Sequence, residues 1–322
     1  MSREEQKQQE LELLQEGQKE SQIRFESTDT EREERQKKVC AFHVTCMDER
    51  DRFAPDATGE PYGSMHLFAS PGGCITQDRD AANGAGKFLE IYQEEIREAN
   101  KDKKKIIIDL MPHTCFKDNH AGCAAFGGDE EAEYAYFTAL KDELLKLPEL
   151  QNAEIRTTMY DTDTHDLVGF AGFEVDEKSH EVSAMIRRDE GEASNEYEDE
   201  WDRFHSGYRI YVGSLPHAWC PKRNLAYHLH EKMDYEELLE GIALAAKIIL
   251  THSHVPIEEK PIVIQIDRLF GYSPAIQLED DELLARLNKS PLLTDVGIEL
   301  KDEDVLIVRT QTDRFSWQGE II

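Results

Sequence analysis

Basic residues are scarce in this chain: 37 Lys and Arg stand against 67 Asp and Glu in 322 residues, a formal net charge of −30. Binding a phosphate backbone requires a cationic face that displaces counterions, so nucleic acid is not expected as a partner. The same sign disfavours an anionic membrane surface. Long apolar runs are missing too. None approaches the roughly 18–20 residues of a membrane span, and Met1 opens a polar, charged segment rather than a signal peptide. A soluble, cytoplasmic protein is the expectation. Cysteines are few, at positions 40, 46, 74, 115, 123 and 220. Without an export signal these thiols read as reduced, and a metal or catalytic role outranks a disulfide framework.

Apolar residues make up 39 % of the chain, enough to build a sizeable core in one large domain or two. Residues 1–38 are dominated by Glu, Gln, Lys and Arg, with a few apolar positions such as Leu11, Leu13, Leu14, Ile23 and Phe25. They read as a charged arm, either a solvated helix or disordered. From residue 39 the pattern changes. Strands are expected over 39–45, 64–69, 105–110 and 155–160, with helices over 81–100 and 130–147. Strands alternating with helices argue for an α/β domain with a mainly parallel sheet flanked by helices. Residues 189–202 hold eight acids and no base, so 189–204 reads as a linker or insertion between a domain at 39–188 and a second half at 205–322. In that half, strand candidates at 209–213, 261–266 and 305–308 and a helix at 235–250 repeat the earlier order, which suggests a diverged internal duplication.

The chemistry-bearing residues of the first half fall at ends of expected strands, where open α/β sheets place their active sites. Cys46 closes the first strand and is followed by Asp48 and Arg50. Gly72 and Gly73 close the second, His113 the third, and Cys123 lies ten residues further on. Two thiolates and an imidazole suit Zn²⁺, and three protein ligands leave one tetrahedral position open, the mark of a catalytic centre. Asp48 beside Arg50 fits an oriented carboxylate that accepts a hydrogen bond from metal-bound water. Paired glycines allow close backbone approach to a small substrate. Cys115 and His120 lie inside the loop between His113 and Cys123, and either is an alternative ligand, a proton carrier or an ordinary loop residue.

Cys46-Met-Asp48-Glu-Arg50, followed by Pro71-Gly72-Gly73, a strand ending in His and a later Cys, resembles the β-type carbonic anhydrases. In the ordinary β pattern His and Cys are three apart, the spacing of His120-Ala-Gly-Cys123. His113 instead occupies the strand-end position, and its ten-residue separation from Cys123 is more similar to the zeta class of diatoms and the carboxysome-shell enzymes. Residues 160–166 further resemble the strand and hairpin that end a β-type catalytic domain. The resemblance implies that Cys46, His113 and Cys123 bind zinc, with His120 the alternative ligand and cadmium an accepted substitute. It makes Asp48 and Arg50 a catalytic dyad, Gly72 and Gly73 neighbours of the substrate, and reversible hydration of CO2 to bicarbonate by metal-bound hydroxide the activity. It also implies a pseudo-dimer within one chain, and it adds a homo-oligomer or a carboxysome-type assembly as context. Two other readings stay open: hydrolysis of CS2 or COS on the same scaffold, and a non-catalytic structural or cargo protein with a purely structural zinc. In the second half, His217-Ala-Trp-Cys220 lacks a preceding Cys-x-Asp-x-Arg and is aligned with the Pro71 turn, as part of a degenerate copy without the metal motif.

Overall fold

The charged N-terminal stretch is helical, with α1 over Arg3–Ser27 and α2 over Asp29–Gln36. In the computed structural model, which describes residues 2–47, 60–115, 121–161, 166–168, 208–215, 219, 225–228, 235–252, 261–269, 279–313 and 315–322, the chain divides into two units. One comprises residues 28–198 and the other joins 1–27 to 199–322. The expected linker at 189–204 lies outside the described residues.

In the unit of residues 28–198, β1 (Val39–Cys46), β2 (Met65–Ser70), β3 (Lys105–Met111) and β6 (Glu154–Thr157) form a parallel sheet in the order β2-β1-β3-β6. β1 and β3 are central and almost wholly buried, which is why Ile106–Ile108 reads as a continuous apolar run, while β1 places a buried His43 between Phe42 and Val44. Helices α3 (Ala81–Ile91) and α4 (Gln93–Lys101) connect β2 to β3, and α5 (Glu130–Leu144) leads toward β6. The single helix expected over 81–100 breaks at Tyr92, which caps α3 and opens α4. These helices cover one face of the sheet, packing Phe88, Tyr92, Ile96, Phe137, Leu140 and Leu144 against Phe42, Val44, Ile108 and Leu110.

A second set of short strands extends the site end of this sheet. β4 (His113–Cys115) pairs in parallel with β7 (Met159–Asp161) and antiparallel with β5 (Ala121–Gly122), while β7 and β8 (Asp166–Val168) form an antiparallel hairpin. Pro112, with no N–H to give the ladder, separates β3 from β4. The pairing still carries across the break, because Tyr160 N donates to Pro112 O at 2.8 Å and Thr158 N to Leu110 O at 3.1 Å.

In the other unit, β9 (Arg209–Gly213), β10 (Leu225–His228), β11 (Ile262–Leu269) and β12 (Val305–Thr312) are parallel, with β13 (Gly319–Ile321) antiparallel at the edge. The order is β10-β9-β11-β12-β13. Helix α6 (Tyr235–His252) lies between β10 and β11, and α7 (Asp280–Leu287) and α8 (Pro291–Thr294) between β11 and β12.

The N-terminal segment departs from the expected solvated arm. α1 lays Glu10, Leu14, Gln18, Ser21 and Phe25, at helical spacing, into its unit. Phe25 stacks on Trp317 with centroids 4.3 Å apart, Gln18 Nε2 donates to Trp317 O at 2.7 Å, Arg3 pairs with Asp304 at 2.7 Å, and Arg209 pairs with Glu10. This docking face is mostly polar, so it leaves no apolar stripe in the sequence.

Candidate metal centre

Cys46, His113 and Cys123 offer an Sγ, an imidazole nitrogen and an Sγ that all lie within 4.8 Å of one another, and all three residues are buried. Each arrives by a different route. Cys46 is the last residue of β1, held in register beside Ser70 of β2, whose carbonyl then accepts from Met47 N at 2.8 Å. His113 is the first residue after Pro112, at the start of β4. Cys123 follows β5, and its carbonyl accepts from Phe126 N at 2.8 Å and Gly128 N at 3.1 Å, closing a tight turn. The site therefore sits at the carboxyl ends of parallel strands.

The Sγ atoms of Cys46 and Cys123 are 3.4 Å apart. Two Zn–S bonds of about 2.3 Å at a tetrahedral angle put sulfurs roughly 3.8 Å apart, so a few tenths of an ångström of movement accommodates the ion. Hydrogen bonding to Cys46 and then burial push the Cys123 thiol well above its ordinary value. A divalent cation reverses that preference, because it is a larger local charge than any the protein supplies. The donor set thus fits a soft divalent metal such as zinc, and its identity is not fixed by the ligands alone.

Glu133 completes the centre, and sequence reading did not single it out. Its carboxylate is fully buried. Oε1 accepts from His113 N and Oε2 from Cys123 N, each at 3.1 Å. Burial raises its pKa to about 7, opposed by the His113 imidazole and the two N–H donors, with Cys46 adding to the rise. Asp129 caps α5 by accepting from Ala132 N at 3.0 Å, which puts Glu133 on the face that carries Phe137, Leu140 and Leu144 toward the core. That placement at i, i+4, i+7 and i+11 was the available signal: a carboxylate on an apolar stripe, camouflaged by the acidic run from Asp129 to Glu133.

Gly72 and Gly73 adopt φ of +64° in the turn that follows β2. A Cβ on Gly72 would stand 2.7 Å from the Phe126 ring, and one on Gly73 would stand 2.6 Å from Phe137 Cζ and 3.1 Å from the Thr45 carbonyl carbon. Protein contacts and handedness already require both glycines. Cys74 is a buried core thiol pushed up to about 12 by desolvation, and Cys40 packs against the same core. Cys115 lies on β4. Asp48, Arg50, His120, His217 and Cys220 lie outside the described residues.

Compared with protein-family models and with curated proteins, the chain matches none.

Proposed function

We propose that this protein is a metal-dependent enzyme that reversibly hydrates CO2 to bicarbonate, with zinc held by Cys46, His113 and Cys123. The observation that carries the reading is the convergence of those three buried donors from β1, β4 and the turn after β5. When bound, zinc supplies Lewis acidity that makes water a nucleophile near neutral pH. Cys46, His113 and Cys123 would hold the ion with three protein donors, the number a catalytic zinc centre uses. Asp48, two residues beyond the first ligand, accepts the hydrogen bond that orients the attacking water. Arg50 keeps the Asp48 carboxylate ionised and aimed. The proton released would pass to buffer. Two thiolates make cadmium an acceptable substitute.

The carbonic-anhydrase-like duplication belongs to the same proposal. Its support is the strand order: β10-β9-β11-β12 repeats β2-β1-β3-β6, with helices between the second and third and the third and fourth strands of each set. On this correspondence β9 matches β1, so the residues after Gly213 match the Cys46 segment. That replaces the alignment of His217-Ala-Trp-Cys220 with the Pro71 turn.

Asp48→Ala separates a catalytic from a structural zinc. With zinc content and stopped-flow CO2 hydration measured on the same samples, the variant is expected to keep its metal and lose at least about 10²-fold in turnover, the low end for a positioned proton-handling group. Unchanged turnover would remove the dyad from the mechanism, and metal without activity in the wild type would make the zinc structural.

A further inference from the structure

Two of the three proposed ligands reach the site on chain segments that need an anchor. His113 and Cys123 are ten positions apart, on β4 and just past the two-residue β5, and a ladder this short fixes backbone weakly. One side chain ties both together. The Glu133 carboxylate accepts the backbone N–H of His113 on one oxygen and that of Cys123 on the other, at 3.1 Å each, and the residue is fully buried in the core-facing side of a 15-residue helix. A carboxylate has two acceptor oxygens, one for each of these N–H donors, where an amide has one.

We propose that Glu133 is a positioning residue of the metal centre, setting the separation and aim of the His113 and Cys123 ligand atoms by holding both backbone amides from α5. This rests on the metal-centre reading above. Glu133 is not assigned as a ligand. It acts through the peptide groups of two ligands, as outer groups around metal sites orient the atoms that bind. Glutamine has nearly the same shape, but its NH2 group would face an N–H donor, so one of the two backbone bonds is lost. Aspartate keeps the charge but is one methylene too short to span both amides from the same helix position.

The test uses the full chain, stripped and reloaded with Co²⁺ as a spectroscopic probe, as wild type, Glu133→Gln and Glu133→Asp. Cobalt affinity is measured by competition with a chromophoric chelator. The thiolate-to-cobalt charge-transfer and ligand-field bands report ligand geometry. Wild type is expected to bind about one Co²⁺ per chain with a thiolate charge-transfer band. Glu133→Gln is expected to bind about 10–100-fold more weakly, with displaced ligand-field bands when saturated. Glu133→Asp is expected to fall between the two. A purely structural glutamate would lower the melting temperature and leave the saturated spectrum unmoved, and that result overturns the proposal. So does wild-type affinity in the variants. If Glu133→Gln fails to fold by circular dichroism, Glu133→Asp decides on the same two readouts. If wild type shows no thiolate–cobalt band, the metal centre itself is wrong, an outcome distinct from a failure of the Glu133 assignment alone.

Discussion

The Sγ atoms of Cys46 and Cys123 lie 3.4 Å apart although 77 positions separate them in the sequence. Both are buried, so each thiol must either stay protonated or share a cation. A metal held between them would therefore couple its binding to the fold of residues 28–198. A chelator that strips the ion is expected to lower stability by about 2.7 kcal/mol or more where free metal stood at 100 times its dissociation constant. Differential scanning calorimetry before and after chelation, with metal restored as control, checks it. In Cys46→Ser and Cys123→Ser the chelator should produce no shift.

Gly73 and Gly127 both have positive φ, at +64° and +70°, but only Gly73 is crowded. Alanine at Gly127 meets nothing within 4 Å and should cost only the left-handed backbone, about 1–2 kcal/mol. Alanine at Gly73 should add about 1–3 kcal/mol of overpacking against Phe137 and the Thr45 backbone. Urea unfolding of the two variants gives the difference directly, and equal losses would refute the packing argument.

His43 lies in β1 beside Asp109 of β3, fully buried, and neither ring nitrogen has a hydrogen-bond partner among the described residues. Burial lowers its pKa from 6.5 to about 3. The folded pKa is below the unfolded one, so the unfolded chain binds more protons between these values. Stability present at neutral pH is lost as pH falls through this window. His43→Leu should flatten that part of the stability–pH curve and add about 1–3 kcal/mol at pH 7 by removing unsatisfied polar atoms. Asp109, raised to about 6 by burial, gives a slope of opposite sign, and a His43→Leu, Asp109→Asn double-mutant cycle separates the two neighbouring groups. Parallel curves would show that His43 titrates alike in the folded and unfolded chain, contradicting the burial-lowered pKa.

Phe25 and Leu14 carry the docking of α1 to its own unit. Phe25→Ala should destabilise that unit by about 3–5 kcal/mol and Leu14→Ala by about 2–5 kcal/mol. Trp317 fluorescence follows the loss, since Phe25 stacks on its ring. An effect below about 0.5 kcal/mol, the range of surface changes, would return the segment to the role of a solvated arm.

The sheet strands were legible wherever burial on both faces forces an apolar run, as at Ile106–Ile108 and Ile262–Ile264. So were Cys46, His113 and Cys123, because strand ends in α/β sheets are marked by turn residues such as Pro112. What stayed hidden depends on tertiary pairing. The two residues of β5 form a strand only through β4, and β10 is four residues beside β9. The α1 contacts run through Glu10, Gln18 and Ser21, indistinguishable from a solvated face. Glu133 sits in an acidic first turn of α5, where dipole stabilisation alone would place a glutamate.

Zinc content and CO2 hydration rate, measured together on wild type, His113→Ala and His120→Ala, test the central claim most directly. About one zinc per chain with hydration activity is expected in wild type, both lost in His113→Ala, and the metal kept in His120→Ala. Zinc retained in His113→Ala, or a site emptied by His120→Ala, would contradict it.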